Sequence, residues 1–500
     1  MRKGLMLALV MLLMLPFLPV QASTASAEEE GGDLQEEIIY YLLVDRFNNG
    51  DYDRDFAVDP DDPKAYHGGD IPGVTLRLDD LVEIGVTTIV LSPIMQNAPD
   101  GYHGFWVDDF YEIDEQFGSM EDFHEMIDEA HQRDLKVVLE FPINYMSKAA
   151  DVNDEWVMEP AEEGPDWLEN AVQLNHDVPE VQEELLQAAD FWMEETDIDG
   201  FQLHGVDQAS PEFLTTLSEH IKEKNSDFYL TGNVFLNDMD TEQLLETTEI
   251  DVVSNENLNE AMRDVFAEVD RPVSDLYEAW ENSEKEQGII YVDDMNSKRF
   301  TNVFMDHGRN PLTVWKLALT FMYTTPGTPA IFQGSEYAMY GENAEQTQHL
   351  VEFHSGEPEL KEFHGRLANL KEQFPALSYG DFEMVESSEA MSVFKRTYED
   401  QTIYIAINNS STSQDILLED LDSGLQLRGY LADNIFREDE EGNYRIGIPR
   451  ESVEVFALEE DQGLNWALIG FAGVILGLFV IAVIYLSMKD KKREAKSNKA

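Results

Sequence analysis

The chain has 500 residues, with 33 Lys and Arg against 101 Asp and Glu, a formal net charge of −68, and no cysteine. An excess of acid this large excludes binding to a nucleic-acid backbone through bulk charge. The missing cysteines exclude a disulfide scaffold, a thiol nucleophile and a Cys-ligated metal centre. With 43% hydrophobic and 11% aromatic residues the chain is too apolar for a disordered acidic polymer, and its length suits two or three domains or one large barrel with an accessory.

In chain order, Arg2 and Lys3, the apolar stretch Leu5–Val20 and the small residues Ala25-Ser26-Ala27 predict a signal peptide over residues 1–27. Eight short apolar runs follow: Ile38–Val44, Thr88–Leu91, Lys136–Phe141, Gly200–Leu203, Phe228–Thr231, Glu249–Val253, Ile289–Val292 and Pro329–Phe332. Amphipathic stretches such as Met120–Arg133 and Val181–Glu195 separate them. Strand-length runs alternating with helical patterns predict an α/β architecture, a parallel barrel over residues 28–377. The segment at about 146–172, between the third and fourth runs, has no periodicity and is long for a βα loop; such loops lie on the catalytic face of a barrel.

Over residues 378–458 the pattern changes. Met391–Arg396, Thr402–Asn408, Gln426–Leu431 and Val453–Leu458 alternate with Asn, Asp, Ser and Gly turns and predict an antiparallel β domain, followed by a linker at 459–465. Trp466–Met488 carry no charge, enough residues to cross about 30 Å of hydrocarbon as a helix. Lys489, Lys491, Lys492, Arg493, Lys496 and Lys499 come next. This predicts a C-terminal transmembrane helix at 466–488 and a basic cytoplasmic tail at 489–500. The protein is then expected in the cell membrane as a single-pass type I protein with its large domain outside.

Several motifs stand in one register. Val44-Asp45-Arg46-Phe47-Asn48-Asn49-Gly50-Asp51 and Tyr66-His67-Gly68-Gly69-Asp70 come first. Gly85–Pro93 and Gly101-Tyr102-His103-Gly104-Phe105-Trp106 follow, then Trp315–Thr320 and Thr325-Pro326-Gly327-Thr328-Pro329. In this order and spacing they resemble the α-amylase superfamily, glycoside hydrolase family thirteen, over about Glu36–Glu459. The resemblance implies a (β/α)8 TIM barrel with a short inserted domain after strand three and a C-terminal antiparallel β domain. It also implies retaining glycoside hydrolysis or transfer, in which a carboxylate nucleophile and a protonated carboxylic acid sit about 5–5.5 Å apart.

The residues depart from that pattern where it matters most. The strand-four motif resembles Gly200-Phe201-Gln202-Leu203-His204, with Gln202 where the family places Arg and His204 where it places the nucleophilic Asp. Asn233, in Leu230–Val234, takes the acid/base Glu position, and Asn296 that of the third Asp beside Met295. In the strand-three motif Glu140 stands for an Asp and Tyr145 for a His, while Asn144 is kept. An amide has no transferable proton near neutral pH, so Asn233 cannot be a general acid. Loss of the anion at 204 would also leave a buried Arg at 202 unpaired, which Gln202 avoids.

Other parts of the resemblance are retained. Tyr102, His103, Phe105, Trp106 and Tyr145 stand where the family contacts sugar, and their aromatic faces suit either sugar C–H surfaces or packing at the barrel mouth. Trp156 and Trp167 line a cleft or anchor the inserted loop. Asn49, Asp51, Asp55, Gly68 and Asp70 match positions that in some subfamilies bind a structural Ca²⁺, with Arg54 as a departure; the other reading is an Asx-rich turn. A second family calcium site, through Asn144, lacks its Asp: Gln173 stands there.

The expectation is therefore a membrane-anchored extracellular amylase-like protein that is catalytically silent. Its partner would be an α-glucan oligosaccharide or a surface protein, with no nucleic acid. Two alternatives stay open. One is an active α-glucan hydrolase with an unusual site rebuilt from acids such as Glu140, Asp207, Asp293 and Asp294. The other is a non-enzymatic scaffold in a surface complex.

Overall fold

A computed structural model of the chain describes residues 34–158, 164–236, 239–283, 288–418, 421–461, 463 and 466–497. The signal peptide expected at 1–27 lies outside the described residues. Eight parallel strands form the central sheet: β1 (Ile39–Leu42), β2 (Thr88–Leu91), β3 (Lys136–Phe141), β4 (Gly200–Leu203), β5 (Tyr229–Gly232), β6 (Val252–Val253), β7 (Ile289–Ile290) and β8 (Thr328–Phe332). Their order is β6-β5-β4-β3-β2-β1-β8-β7. A parallel bridge between Ser254 and Ile289 joins the two ends, so the sheet closes on itself as a barrel.

These strands are apolar on both faces because both faces are covered. Ile39, Val90, Val138, Tyr229, Val252, Ile289 and Ala330 pack together in one cluster. Their chain neighbours Tyr40, Ile89, Leu91, Val137 and Leu139 belong to a different, larger core. The period of two thus divides each strand between barrel interior and helical layer. Val138 pairs with Gly200 and Glu140 with Gln202, which sets Glu140 two residues on from Val138 on the inner face.

Helix α1 (Met120–His131) starts at a reciprocal capping box between Ser119 and Asp122, and α2 (Pro179–Glu195) begins with Pro179 in its first turn. The insertion after β3 forms a small antiparallel sheet from Tyr145–Ser147, Ala171–Leu174 and Val157–Met158. Helix α3 (Pro311–Thr324) is buried along most of its length and ends under the C-terminal domain. There the buried Arg396 guanidinium donates to the carbonyls of Thr324 (2.6 Å), Gly380 (3.1 Å) and Ser378 (3.2 Å).

The C-terminal domain is antiparallel. A six-stranded sheet contains β9 (Asp381–Ser388), β10 (Met391–Tyr398), β11 (Gln401–Asn408), Ser452–Glu460, Leu425–Gly429 and Ile435–Arg437, in that spatial order. Gln414–Leu418 pairs with Tyr444–Ile448 in a separate two-stranded sheet.

The chain closes with helix α4 (Trp466–Ser497). It does not stop at Met488 but runs on through the lysine-rich segment as one helix. Among the described residues no helix is long and apolar enough to cross a membrane. The expected transmembrane helix at 466–488 is corrected accordingly, and the single-pass membrane placement built on it is corrected with it.

Candidate functional site

Side chains at the C-terminal ends of the strands surround a cavity of about 230 Å³. Tyr41 comes from β1, Glu140 from β3, Gln202 and His204 from the end of β4, and Asn233 from the end of β5. Glu256 follows β6, and Tyr291, Asp293, Asp294, Met295 and Asn296 follow β7. Parallel strands end at the same level, so residues far apart in the chain arrive together.

The floor of this cavity is a network centred on Glu140, which is fully buried. His204 donates from Nδ1 to Glu140 Oε1 at 2.8 Å, and Asn233 donates to the same oxygen at 3.1 Å. Tyr41 donates its hydroxyl to Glu140 Oε2 at 2.5 Å. A carboxylate only accepts, so this pairing fixes a proton on His204 Nδ1. Nε2 is buried with no hydrogen-bond partner among the described residues. Asn233 is itself held, its Oδ1 accepting from the Gly205 backbone at 2.7 Å.

Across the cavity, Glu256 accepts from Ser254 (2.8 Å) and Tyr291 (2.5 Å). Burial pushes its carboxyl above the usual range, and the two hydroxyl donors pull only partly against that shift. Sequence reasoning missed Glu256. It lies in no motif, at the start of a short helix capped by Asn255, whose Oδ1 accepts from the Leu258 backbone at 2.9 Å. Asp294 lines the cavity and accepts from the Asn296 backbone (2.6 Å) and the Ser297 hydroxyl (2.7 Å). Asp293 is committed elsewhere, to the Phe300 backbone, Ser335 and Arg299. Asp207 holds the loop after β5 through the Phe235 and Leu236 backbone groups.

The sugar-contact candidates divide into two groups. Tyr102, His103 and Trp106 line a second, outer cavity of about 560 Å³. Tyr102 donates to Gln348 at 2.7 Å and lies under the Arg46 guanidinium. Burial, with Arg46 and His204 adding to it, pushes His103 down to about 3, so its ring is neutral and accepts from the Phe105 backbone. Phe105 and Tyr145 have no exposed surface and sit inside an aromatic pile with Trp167 and Phe235. His204 is packed into the same pile, 4.3 Å from Phe105 and 4.7 Å from Phe235 between ring centroids. Asn296 is exposed at the rim.

The calcium candidates are only partly assembled. Asp70 accepts from three backbone groups, those of Gly50, Asp51 and Gly73, and Asp51 is bound by Arg54 at 3.0 Å. Asn49 donates to Asp55 at 2.9 Å, while its Oδ1 is buried without a partner. A side chain at Gly68 would meet Asn49 at 2.7 Å, so this crowded corner needs glycine. The orphaned oxygen beside a carboxylate fits an oxygen-seeking cation. Among the described residues, no group of three or more His, Asp or Glu is placed to hold a metal.

Residues 41–173 and 168–367 match the family described as "Alpha amylase, catalytic domain", and residues 380–456 match "Alpha-amylase C-terminal domain". The chain is similar to a cyclomaltodextrinase of Thermoanaerobacter pseudethanolicus, at 26% identity over 426 residues, covering 77% of this chain and 72% of that one. It superimposes on an Anoxybacillus α-amylase with a TM-score of 0.82 at 34% identity, covering 87% of this chain and 100% of that one. It also matches an α-amylase from Geobacillus thermoleovorans complexed with acarbose, with a TM-score of 0.80 at 34% identity, covering 86% and 100%.

These matches correct the expectation of a catalytically silent, membrane-anchored protein. The proteins aligned over most of their length are named as a cyclomaltodextrinase and an α-amylase, and the described residues supply no membrane span. The strand ends also keep ionisable groups. Glu140, His204, Glu256 and Asp294 face one cavity although His204, Asn233 and Asn296 occupy the positions singled out in the sequence.

Proposed function

Because the chain belongs to the α-amylase family, we propose that it is an α-glucan hydrolase working through a rearranged site. Glu256 is the general acid, and His204, oriented by Glu140, is the general base. The observation that carries this reading is the pairing of two opposite environments in one cavity. Burial favours a protonated Glu256, while the carboxylate of Glu140 holds His204 by Nδ1, and in this reading the neutral ring accepts a proton at Nε2.

In this reading His204 Nε2 takes a proton from water as the water oxygen bonds to the anomeric carbon. The glycosidic C–O bond breaks, and Glu256 gives its proton to the departing oxygen. Glu140 stabilises the imidazolium that forms. This is the two-group arrangement of an inverting glycosidase with imidazole in the place of one carboxylate. The enzyme names and the acarbose complex of the matched structures support α-glucans as the substrate class.

The test is maltooligosaccharide hydrolysis by the full chain and by Glu256→Gln and His204→Ala. Each substitution should lower kcat by about 100-fold or more. No turnover by the unsubstituted protein, or turnover unchanged in both variants, removes the proposal.

We also propose a structural Ca²⁺ at Asn49, Asp55 and the Gly68 carbonyl, with Asp51 and Asp70 as the surrounding acids. Its charge would satisfy Asn49 Oδ1 and the Asp55 carboxylate. Chelation should lower the melting temperature by several degrees, and Asp55→Asn should abolish the effect; a melting temperature that ignores chelator counts against the site.

A further inference from the structure

Asn233 stands where the resemblance expects a carboxylic acid, yet both ends of its side-chain amide are engaged. Nδ2 donates to Glu140 Oε1 at 3.1 Å, and Oδ1 accepts from the Gly205 backbone at 2.7 Å. An amide offers a donor and an acceptor at once, which this position uses in full. Turning it over would set N–H against N–H and oxygen against carboxylate. A carboxylate at 233 would satisfy Gly205 but could only oppose Glu140. The backbone of Asn233 is committed to the same segment, donating to Leu203 at 3.1 Å and accepting from Val206 at 3.0 Å. One residue thus bonds to Leu203, Gly205 and Val206, which bracket His204 in the chain.

Glu140 depends on that amide. It is fully buried, and among the described residues its ion pair is with His204. Three donors share its two oxygens, His204 and Asn233 on Oε1 and Tyr41 on Oε2. A buried anion is held by such donors, and the loss of one throws more of its charge onto those that remain. The donor with a titratable proton nearest to neutrality is His204. Donation from Asn233 and Tyr41 therefore weakens the pull of Glu140 on the imidazole, and the ring stays neutral down to lower pH. The other titratable groups around the pair are His103 from the loop after β2, Tyr145 from the insertion, and Glu256 and Asp294 in the cavity.

Resting on the hydrolase reading above, we infer that Asn233 is a positioning residue for His204, its amide holding both Glu140 and the backbone that follows the ring. The amide at this position is then required, and is not the remnant of a lost acid.

Maltoheptaose hydrolysis by the full chain, followed across pH, tests this. Without the amide donor Glu140 draws harder on His204. Asn233→Leu should therefore move the acid limb of kcat/KM up by about half a unit or more and lower kcat about tenfold. Tyr41→Phe, which removes the donor to the other oxygen, should move the limb the same way. Asn233→Glu, which puts back the residue type of the family, should lower kcat about tenfold and not raise it, because the donor to Glu140 is gone. A merely structural Asn233 would lower the melting temperature and leave the limb in place. A limb that stays put or moves down in Asn233→Leu, or a gain in kcat from Asn233→Glu, overturns the inference while leaving the hydrolase reading intact. Should Asn233→Leu not fold, the smaller Asn233→Ala is read in its place. If the unsubstituted protein does not turn over, the hydrolase reading fails and nuclear magnetic resonance of the histidine-labelled full chain decides the inference. The His204 signal is identified by its loss in His204→Ala. A ring that takes up its proton at higher pH in Asn233→Leu than in the unsubstituted protein upholds the inference, and an unchanged titration overturns it.

Discussion

Glu256 shows how much of a site can depend on one hydrogen bond. Its carboxyl is raised by burial and lowered by the hydroxyls of Tyr291 and Ser254, which stabilise the charged form. If Glu256 must be protonated to act, its ionisation sets the alkaline limb of the activity profile. Removing a donor to the charged form moves that pKa further up. Tyr291→Phe should therefore shift the alkaline limb of kcat/KM to higher pH, by about 0.7 unit for about 1 kcal/mol of lost hydrogen bonding. A limb that moves down or stays put would assign the acid elsewhere. The partner residues behave differently: Asp293 lines the same cavity yet is tied by Phe300, Ser335 and Arg299, and so serves the loop rather than the chemistry.

At the scale of elements, the barrel is held at its floor by a second buried carboxylate. Glu37, just before β1, accepts from Thr87 and from Thr88 of β2, from Lys136 at the start of β3 and from Tyr229 of β5. One side chain thus ties the start of β1 to β2, β3 and β5. Burial alone would raise its pKa, but Lys136 and the two threonines overcome this and hold it below the usual value. A depressed carboxyl contributes stability that is present above the unfolded-state pKa of about 4.3 and is lost as pH falls through the folded one. Glu37→Gln should cost about 2 kcal/mol at neutral pH, and the gap to the unsubstituted protein should narrow at about pH 3. Denaturant melts at the two pH values check both parts.

The same element scale explains what the sequence made legible. Thr88–Leu91 and Lys136–Phe141 are strands over the residues expected, because a strand buried on both faces is an unbroken apolar run. Glu249–Val253 and Ile289–Val292 shorten to two residues each where the barrel closes through the single Ser254–Ile289 bridge. Gln414–Leu418 and Tyr444–Ile448 escaped notice; they pair with each other in a two-stranded sheet apart from the main one. Glu140 and His204 were visible as motif positions, but their contact is made by register across β3 and β4. The wall around His204 comes from Phe105, Trp167 and Phe235 on three separate loops, a juxtaposition that no local pattern encodes.

The charge belongs to the molecule as a whole. With 101 acidic residues against 33 basic ones, most carboxylates have no cation to pair with, so the surface repels itself. Salt acts on attraction and repulsion alike. It weakens exposed ion pairs such as Arg445–Asp415 and Lys64–Asp166, each worth about 0–1 kcal/mol. It also screens the like-charge repulsion, which acts between many more pairs and over longer distances. Raising ionic strength from about 0.01 M to about 1 M shortens the screening length from about 30 Å to about 3 Å, below the spacing of most surface carboxylates. More repulsion than attraction is then removed, and the folded state gains. The melting temperature should climb steadily through this range with sodium chloride, most steeply at the dilute end where the screening length changes fastest. Sucrose, which excludes itself from protein surface without screening charge, separates the two causes. A rise with salt matched by sucrose of equal osmolality would assign the effect to solvent exclusion, and a fall with salt would mean that the ion pairs outweigh the excess acid.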